Sequence, residues 1–288
     1  MDLRRLRLFL AVVDEGSFTA AAATAHVAQP AVSLAVRELE VELGAALLVR
    51  SRRGARPTPA GDALVGPARQ AVRDIENAAA AVAAVTGLVA GRLDLASLPT
   101  LAADPVADLV GQFRRAHPSV TVRLGAPLDL AELADDVRSG AAELGITDGG
   151  PTNRRLEEVP LGEQELVAVS PPGGSTRAVR LDQLARVPLV LSPAGTSMRD
   201  IVETALAEAG VTAEVAVETA QRDALIPLVL AGAGTTFLPA TLARAAGHLG
   251  ATVRLTVPRL RRLLVVVHRP GPLGPAATRF LELAVATR

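Results

Sequence analysis

The sequence predicts an α/β protein in three parts: an all-α head, a long connecting helix and an α/β body in two lobes. Three observations carry this. Apolar residues in the opening stretch recur at spacings of three and four, a seam with the same spacing runs from Val65 to Val89, and from Arg92 onward short apolar strands alternate with helical segments. A length of 288 residues accommodates about two globular domains with cores of their own. With 49% hydrophobic and 21% charged side chains, disorder, collagen and coiled-coil rods are excluded.

In the head, Leu3, Leu6, Leu10 and Val13 mark a first helix that Gly16 terminates. Ser17 is placed to cap a second, in which Ala20 to Ala25 supply small residues that permit close helix packing. Pro30 opens a third, since a first turn has no N–H bond for proline to lose. Val32, Val36, Leu39 and Leu43 form its inward stripe, and Gly44 ends it. Gln29, Ser33, Leu34, Arg37 and Glu38 fall off that stripe. Two helices joined by His26 to Ala28 fit a helix-turn-helix whose second helix lies in the major groove, and equally fit an ordinary helical hairpin. In the first case Gln29 reads a base edge, Ser33 bonds a base or phosphate, and Leu34 packs on a thymine methyl. Arg50, Arg52, Arg53 and Arg56 then gather around Gly54 and Pro57, either as a solvated loop or as a turn that presents guanidinium groups together.

The seam Val65, Ala68, Val72, Ile75, Ala79, Val82, Thr86, Val89 is too long for the head alone to cover. It calls for the body or a second copy of the chain as partner. Strands are expected at Leu93 to Ala96, Val120 to Leu124, Leu144 to Thr147, Leu166 to Val169, Leu189 to Leu191, Val215 to Val217, Thr236 to Leu238, Val253 to Val257 and Leu263 to Val267, in an open, largely parallel sheet. Gly162 to Val169 and Leu263 to Val267 are candidates to cross between the two lobes, with a ligand cleft between them. Hydroxyls gather where such a cleft lies: Ser97 and Thr100 after the first body strand, and Thr196 and Ser197 before a later helix, with Thr147 a third location. They serve either as helix caps or as contacts to a small anion at helix N-termini.

Composition narrows the chemistry. The 30 basic and 30 acidic side chains cancel, every basic residue is arginine, and there is no cysteine, tryptophan or tyrosine. Thiol redox chemistry is excluded, and base stacking on aromatic rings has five phenylalanines to draw on. Residues 1–75 hold ten arginines against eight acids, the remainder twenty against twenty-two, so the head is mildly basic. The histidines His26, His117, His248 and His268 have no metal-ligand spacing, so no metal or other cofactor is expected. No GxSxG, GxxxxGK[ST] or strand-linked GxGxxG is present, and no enzyme is expected. The uncharged run Ala224 to Ala243 is interrupted by Pro227, Gly232, Gly234 and Pro239, which suits a helix, a turn and a buried strand rather than a membrane span. With no secretory signal visible, the expectation is a cytoplasmic protein.

Taken together, Leu6 to Phe9 with Gly16-Ser17-Phe18, Ala28-Gln29-Pro30-Ala31-Val32-Ser33, Leu39-Glu40 with Leu43-Gly44, and Arg50 through Thr58-Pro59-Ala60-Gly61 resemble the head of LysR-type transcriptional regulators. Gly91 to Leu95, Phe113 to Pro118, Glu143 to Ile146, and Gly232 to Gly234 with Leu238-Pro239 resemble that family's effector domain. The resemblance implies a winged helix-turn-helix in residues 1–58, a dimerising helix in 59–90 and a periplasmic-binding-protein-like domain in 91–288. Lobe I would comprise about 91–162 and 268–288, and lobe II about 163–267. Double-stranded DNA, a small effector such as a carboxylate, and a homodimer or homotetramer are the implied partners. By position, Gln29, Pro30 and Ser33 would lie at DNA, Arg53 would approach the minor groove or phosphates, and Ser97, Thr100, Thr196 and Ser197 would meet the effector. Many members carry serine, arginine and glutamine where Ala28, Leu34 and Ala35 stand, which makes this recognition helix unusually apolar and its operator sequence not transferable. Glu143 replaces a frequent aspartate, and Asp148 near the cleft would disfavour an anion.

Overall fold

The structure is a computed structural model that describes residues 1–51, 54–85, 89–149, 156–185 and 187–287, without the side chains of 79–81 and 83–85. Three helices open it: α1 (Leu3–Glu15), α2 (Phe18–Thr24) and α3 (Gln29–Leu43). Asp2 and Ser17 cap the first two through their side-chain oxygens, and Gly16 and Gly44 end α1 and α3 in the left-handed region. Phe9, Val12, Ala21, Val32, Val36 and Leu39 form the core where these helices cross. Leu43, expected on the inward stripe, is exposed because the helix ends there and the chain turns away. The hairpin of β1 (Leu48–Ser51) and β2 (Gly54–Pro57) follows, antiparallel, with Leu48 opposite Pro57. Gly54 packs so closely on α1's end that a Cβ there would overlap the Gly16 carbonyl, while the Ala55 N–H donates to that same carbonyl at 2.7 Å.

The connecting helix α4 (Pro59–Val85) divides the predicted seam. Ala68 is buried on the head core, and Val65 and Val72 pack beside it. Farther along, Ile75 is 53% and Val82 73% exposed. Val89 lies past the helix and packs on the body instead, and Thr86 lies outside the described residues.

In the body, β3 (Gly91–Ser97), the single turn α5 (Pro99–Leu101), α6 (Ala107–Ala116), β4 (Val120–Gly125), α7 (Leu130–Ser139) and β5 (Leu144–Asp148) build a first lobe. Next come β6 (Glu157–Ser170), β7 (Val179–Arg180), β8 (Leu189–Leu191), α8 (Ser197–Glu208), β9 (Val215–Glu218), α9 (Leu225–Leu230), β10 (Thr236–Pro239), α10 (Ala240–His248), β11 (Thr252–Arg254) and β12 (Thr256–Val257). Strand β13 (Leu260–His268) returns to the first lobe, where α11 (Pro275–Ala286) ends the chain. The main sheet runs β4-β3-β5-β13-β6-β10, with β11 also on β6. β3, β4 and β5 are mutually parallel, but β13 is antiparallel to both β5 and β6, so the sheet is mixed rather than largely parallel. The reason is the path: β6 leaves the first lobe and β13 comes back, and strands that cross in opposite senses pair antiparallel.

Both crossing strands are longer than the sequence suggested. β6 covers 14 residues and β13 nine, and they pair along most of that length. The strand expected at Val253 to Val257 is two short ones, which pair with β6 and β7 respectively. The first-lobe core gathers Leu93, Leu95, Phe113, Leu133, Leu144, Ile146 and Phe280. The second has one core around Leu189, Val202, Leu206 and Phe237 and another around Val167, Val190, Leu225 and Val229. Ala224 to Ala243 forms α9, a turn at Gly232 and Gly234, and β10; among the described residues no helix is long and apolar enough to cross a membrane.

Candidate functional site

The outward side of α3 is the first candidate. Its inward stripe commits Val32, Ala35, Val36 and Leu39 to the core, which leaves Pro30, Leu34 and Arg37 exposed and Gln29 and Ser33 half-buried. Leu34 is 58% exposed, a large apolar side chain held in water. Ser33 is a hub: its Oγ accepts from Gln29 Nε2 at 2.8 Å and from the Arg50 guanidinium at 3.0 Å. Arg50 also lies 3.8 Å from the Phe18 ring centroid, a cation–π contact that ties the hairpin to the start of α2. Glu40 fixes the other end, its carboxylate accepting from the Leu47 and Leu48 N–H groups at 2.8 and 3.2 Å. The helix, the hairpin and Arg50 therefore form one unit with a shared outward face. Arg52 and Arg53 lie outside the described residues. Phe18 and Glu40 were missed as positioning residues; the aromatic that follows the Ser17 cap was the available signal.

The second candidate lies where β6 and β13 join the lobes. Strand register places Ser97, Asp148, Arg262 and Gln164 on one sheet face, because Ser97 pairs Ile146, Asp148 pairs Leu264, and Arg262 pairs Gln164. Arg262 donates to Asp148 Oδ2 at 2.9 Å, to Thr100 Oγ1 at 3.1 Å and, through Nε, to Gln164 Oε1 at 2.8 Å. This ion pair is almost sealed from water, with side-chain exposures of 1% and 2%. Asp104 is extended, as a residue before proline prefers, and its carbonyl and carboxylate both accept from Gln164 Nε2. Thr241 donates to the same carboxylate. First-lobe Thr100, Asp104 and Asp148 are thereby latched to second-lobe Gln164, Thr241 and Arg262.

The latch is incomplete. One Arg262 terminal nitrogen and Asp148 Oδ1 are buried without a hydrogen-bond partner, as is Thr147 Oγ1 on the other face of β5. Each such group costs about 1–3 kcal/mol while unsatisfied. Burial lowers the Arg262 pKa below the usual arginine value, and the Asp148 charge opposes that. The Arg222 pKa is lowered by burial too, again opposed by Asp148. The Arg222 side chain makes no hydrogen bond among the described residues, its carbonyl alone accepting from the Leu225 N–H.

Of the predicted hydroxyls, Ser97 is fully buried and donates to the neighbouring Leu98 carbonyl at 3.2 Å, and Thr147 is on the opposite face of β5 from Asp148. Thr196 donates to the Pro193 carbonyl at 2.8 Å and does not cap α8 through its side chain. The helix after Ser97 likewise has no side-chain cap, so neither hydroxyl set is spent on capping. Thr100 borders a void of about 10 Å³ with Leu191, Ser192, Met198, Arg199, Leu225 and Phe237. Sequence reading missed Arg262, although alternation from Leu260 through Arg262 to Leu264 sets it on the inward face of β13. Among the described residues no group of three or more acids and histidines is placed to hold a metal ion.

A helix-turn-helix with a hairpin, a long connecting helix and a two-lobed ligand-domain fold together define a ligand-responsive regulator architecture. The family comparison agrees: residues 3–62 match the bacterial regulatory helix-turn-helix model of the lysR family, and residues 86–288 match the LysR substrate binding domain. The chain belongs to the LysR family of transcriptional regulators, with a helix-turn-helix DNA-binding part and an effector-binding part. It is 30% identical over 290 residues to the nitrogen assimilation regulatory protein nac of Klebsiella aerogenes, covering 99% of this chain and 95% of that protein. Among solved structures, it resembles a cysteine-to-aspartate variant of full-length OxyR from Pseudomonas aeruginosa with a TM-score of 0.80 at 23% identity, covering 100% of this chain and 94% of that one. Full-length CbnR in complex with its target DNA gives a TM-score of 0.70 at 25% identity, with all of both chains covered.

Proposed function

We propose that the chain reads promoter DNA through Gln29, Pro30, Ser33, Leu34 and Arg37 on α3, with Arg50, Arg52 and Arg53 of the hairpin on the flanking phosphates. The supporting observation is the Gln29–Ser33–Arg50 cluster beside the exposed Leu34 and Arg37, a face the head core does not use. CbnR, similar over its whole length, was solved on its target DNA. The body binds a small effector between the lobes, at Ser97, Thr100, Thr147, Thr196 and Ser197, and acts by binding rather than catalysis. Residues 1–58, 59–90 and 91–288 divide these tasks, and the chain works in the cytoplasm. The exposed apolar side of α4 joins two copies, so that two heads meet two half-sites. Effector binding that differs between two arrangements of the assembly shifts how the heads sit on DNA.

A gel-shift titration with the DNA upstream of the chain's own gene tests this. Retardation at low salt that weakens steeply as salt rises is the expected result, because arginine–phosphate contacts release counterions. No retardation at low salt, or retardation indifferent to salt, overturns it.

A further inference from the structure

The interlobe latch has polar groups left over, and their chemistry describes a ligand. Arg262 has one terminal nitrogen with no acceptor, and Asp148 Oδ1 beside it has no donor. These two atoms belong to side chains that already bond each other at 2.9 Å, so an unmet donor and an unmet acceptor lie within one small volume. The Arg222 side chain, half-buried and without a hydrogen bond among the described residues, sits near enough for its charge to act on both. The remaining cleft arginine, Arg199, is already covered by Glu203 and Glu218.

Charge decides the class. Arg222 and Arg262 are balanced by Asp104 and Asp148, so the cluster is neutral as it stands, with the Arg262–Asp148 pair sealed at its centre and Arg222 and Asp104 half-buried beside it. A bare anion would leave a net negative charge against the sealed Arg262–Asp148 pair and a bare cation a net positive one, and either is costly where that pair excludes water. A molecule that carries both signs meets the free guanidinium nitrogen and the free carboxylate oxygen with charge-assisted hydrogen bonds while the balance holds, and such bonds are stronger than those a neutral amide or hydroxyl would make. The void that Thr100 borders is only about 10 Å³, so the ligand enters by parting Thr100 from the second-lobe wall, and a small molecule parts it least.

We propose that this cleft takes a small zwitterion of the α-amino-acid type, its carboxylate on Arg262 and Arg222 and its ammonium on Asp148. The proposal rests on the cleft being the effector site. It also alters the expectation that Asp148 repels an anion: the pairing with Arg262 neutralises it, and its free oxygen selects for the ammonium.

The test is calorimetric titration of the full-length protein with the twenty proteinogenic amino acids. For each that binds, the matched deaminated acid and the matched decarboxylated amine are titrated too. The expected result is an amino acid that binds at least about tenfold more tightly than either match, since each match forfeits a hydrogen bond to a charged group. Asp148→Asn should cut the preference over the deaminated acid about tenfold, and Arg222→Gln should weaken the amino acid and the acid alike. The Arg222 guanidinium makes no hydrogen bond among the described residues, so that variant keeps the measurement interpretable if substitution at Asp148 unfolds the cleft. If no amino acid binds, or a deaminated acid binds as tightly, the zwitterion is overturned. If an amino acid binds and neither variant changes it, binding lies elsewhere, which overturns the proposal too. The cleft reading fails on a separate result: Thr100→Trp, which fills the void that Thr100 borders, leaving the chain's response on its own promoter unchanged.

Discussion

At the residue scale, Ser33 shows how one hydroxyl organises a reading surface. Its oxygen accepts from both Gln29 and Arg50, so it positions together the side chain proposed to read a base and the one proposed to bind phosphate. In fluorescence anisotropy with operator and scrambled duplexes, Ser33→Ala should relax discrimination by about tenfold, as expected when one base contact is lost. Arg50→Ala should weaken both duplexes alike and reduce the salt slope by about one. Equal loss of discrimination in the two variants would contradict the assignment. Asp136 offers a pH test. Burial, then the charge of Glu132, raises its pKa above the ordinary carboxylate value, while Arg69 opposes the shift. The folded state then holds this proton more tightly than the unfolded chain, so the group's contribution to stability falls as pH rises from the ordinary carboxylate pKa through the raised one. Asp136→Asn should remove that decline, leaving the variant gaining on the wild type in urea midpoints as pH is raised from about 4 to 7. A constant difference across that range would refute it.

At the element scale, legibility in the sequence tracks how local the determining interaction is. The caps at Ser17 and Gly16, the proline that opens α3 and the stripe Val32–Val36–Leu39 are decided within a few residues, and all stand where spacing put them. The hydroxyls of Ser97, Thr100 and Thr147 were singled out because they lie at or just beyond strand ends. Their partners were not, because Arg262 is 162 residues from Thr100 and 114 from Asp148, and only strand register brings them together. The antiparallel sense of β13 was hidden for the same reason. α4 lies between these cases, its periodicity legible and its division invisible, since which half faces the head depends on where the chain folds back. Ile75 and Val82, seven residues apart, stay exposed on one chain while Ala68 is buried, which leaves an apolar stripe for a second copy. Ile75→Glu should therefore move sedimentation velocity from the oligomer towards the monomer and leave the circular dichroism of the head and body unchanged. Retention of the wild-type sedimentation coefficient at the same concentration would show that the stripe serves another purpose.

At the scale of the whole molecule, α4 is the one element that touches both the reading head and the ligand-domain lobe through charged side chains among the described residues. Arg7 reaches Glu76 at 2.9 Å and Asp14 reaches Arg69, which fixes α1 to α4. Arg73, between those two positions, donates to the Gly140 carbonyl, faces Glu143 at 3.9 Å and has a buried Nε with no partner. Gly140 ends α7, so Arg73 places a cation at the negative end of that helix. α7 packs Leu133 and Val137 against Gly145 on β5, and β5 ends at Asp148 in the interlobe latch. A continuous set of packed contacts therefore runs from the head to the cleft, and Arg73, beside the longer 3.4 Å bond from Arg69 to Ser139, is the link in it whose guanidinium is most enclosed. Linkage is reciprocal: if the cleft can bias the head, DNA on the head must bias the elements behind the cleft. Operator DNA should accordingly slow amide hydrogen exchange at residues 137–143 in the wild type. In Arg73→Ala the same DNA should bind with similar affinity, since no DNA-reading residue is altered, yet leave exchange at 137–143 unchanged. The strands β8 and β9, remote from this route, should exchange alike in both proteins with or without DNA. Full DNA protection at 137–143 in the variant would mean that head and body communicate by another path, such as the assembly interface along α4.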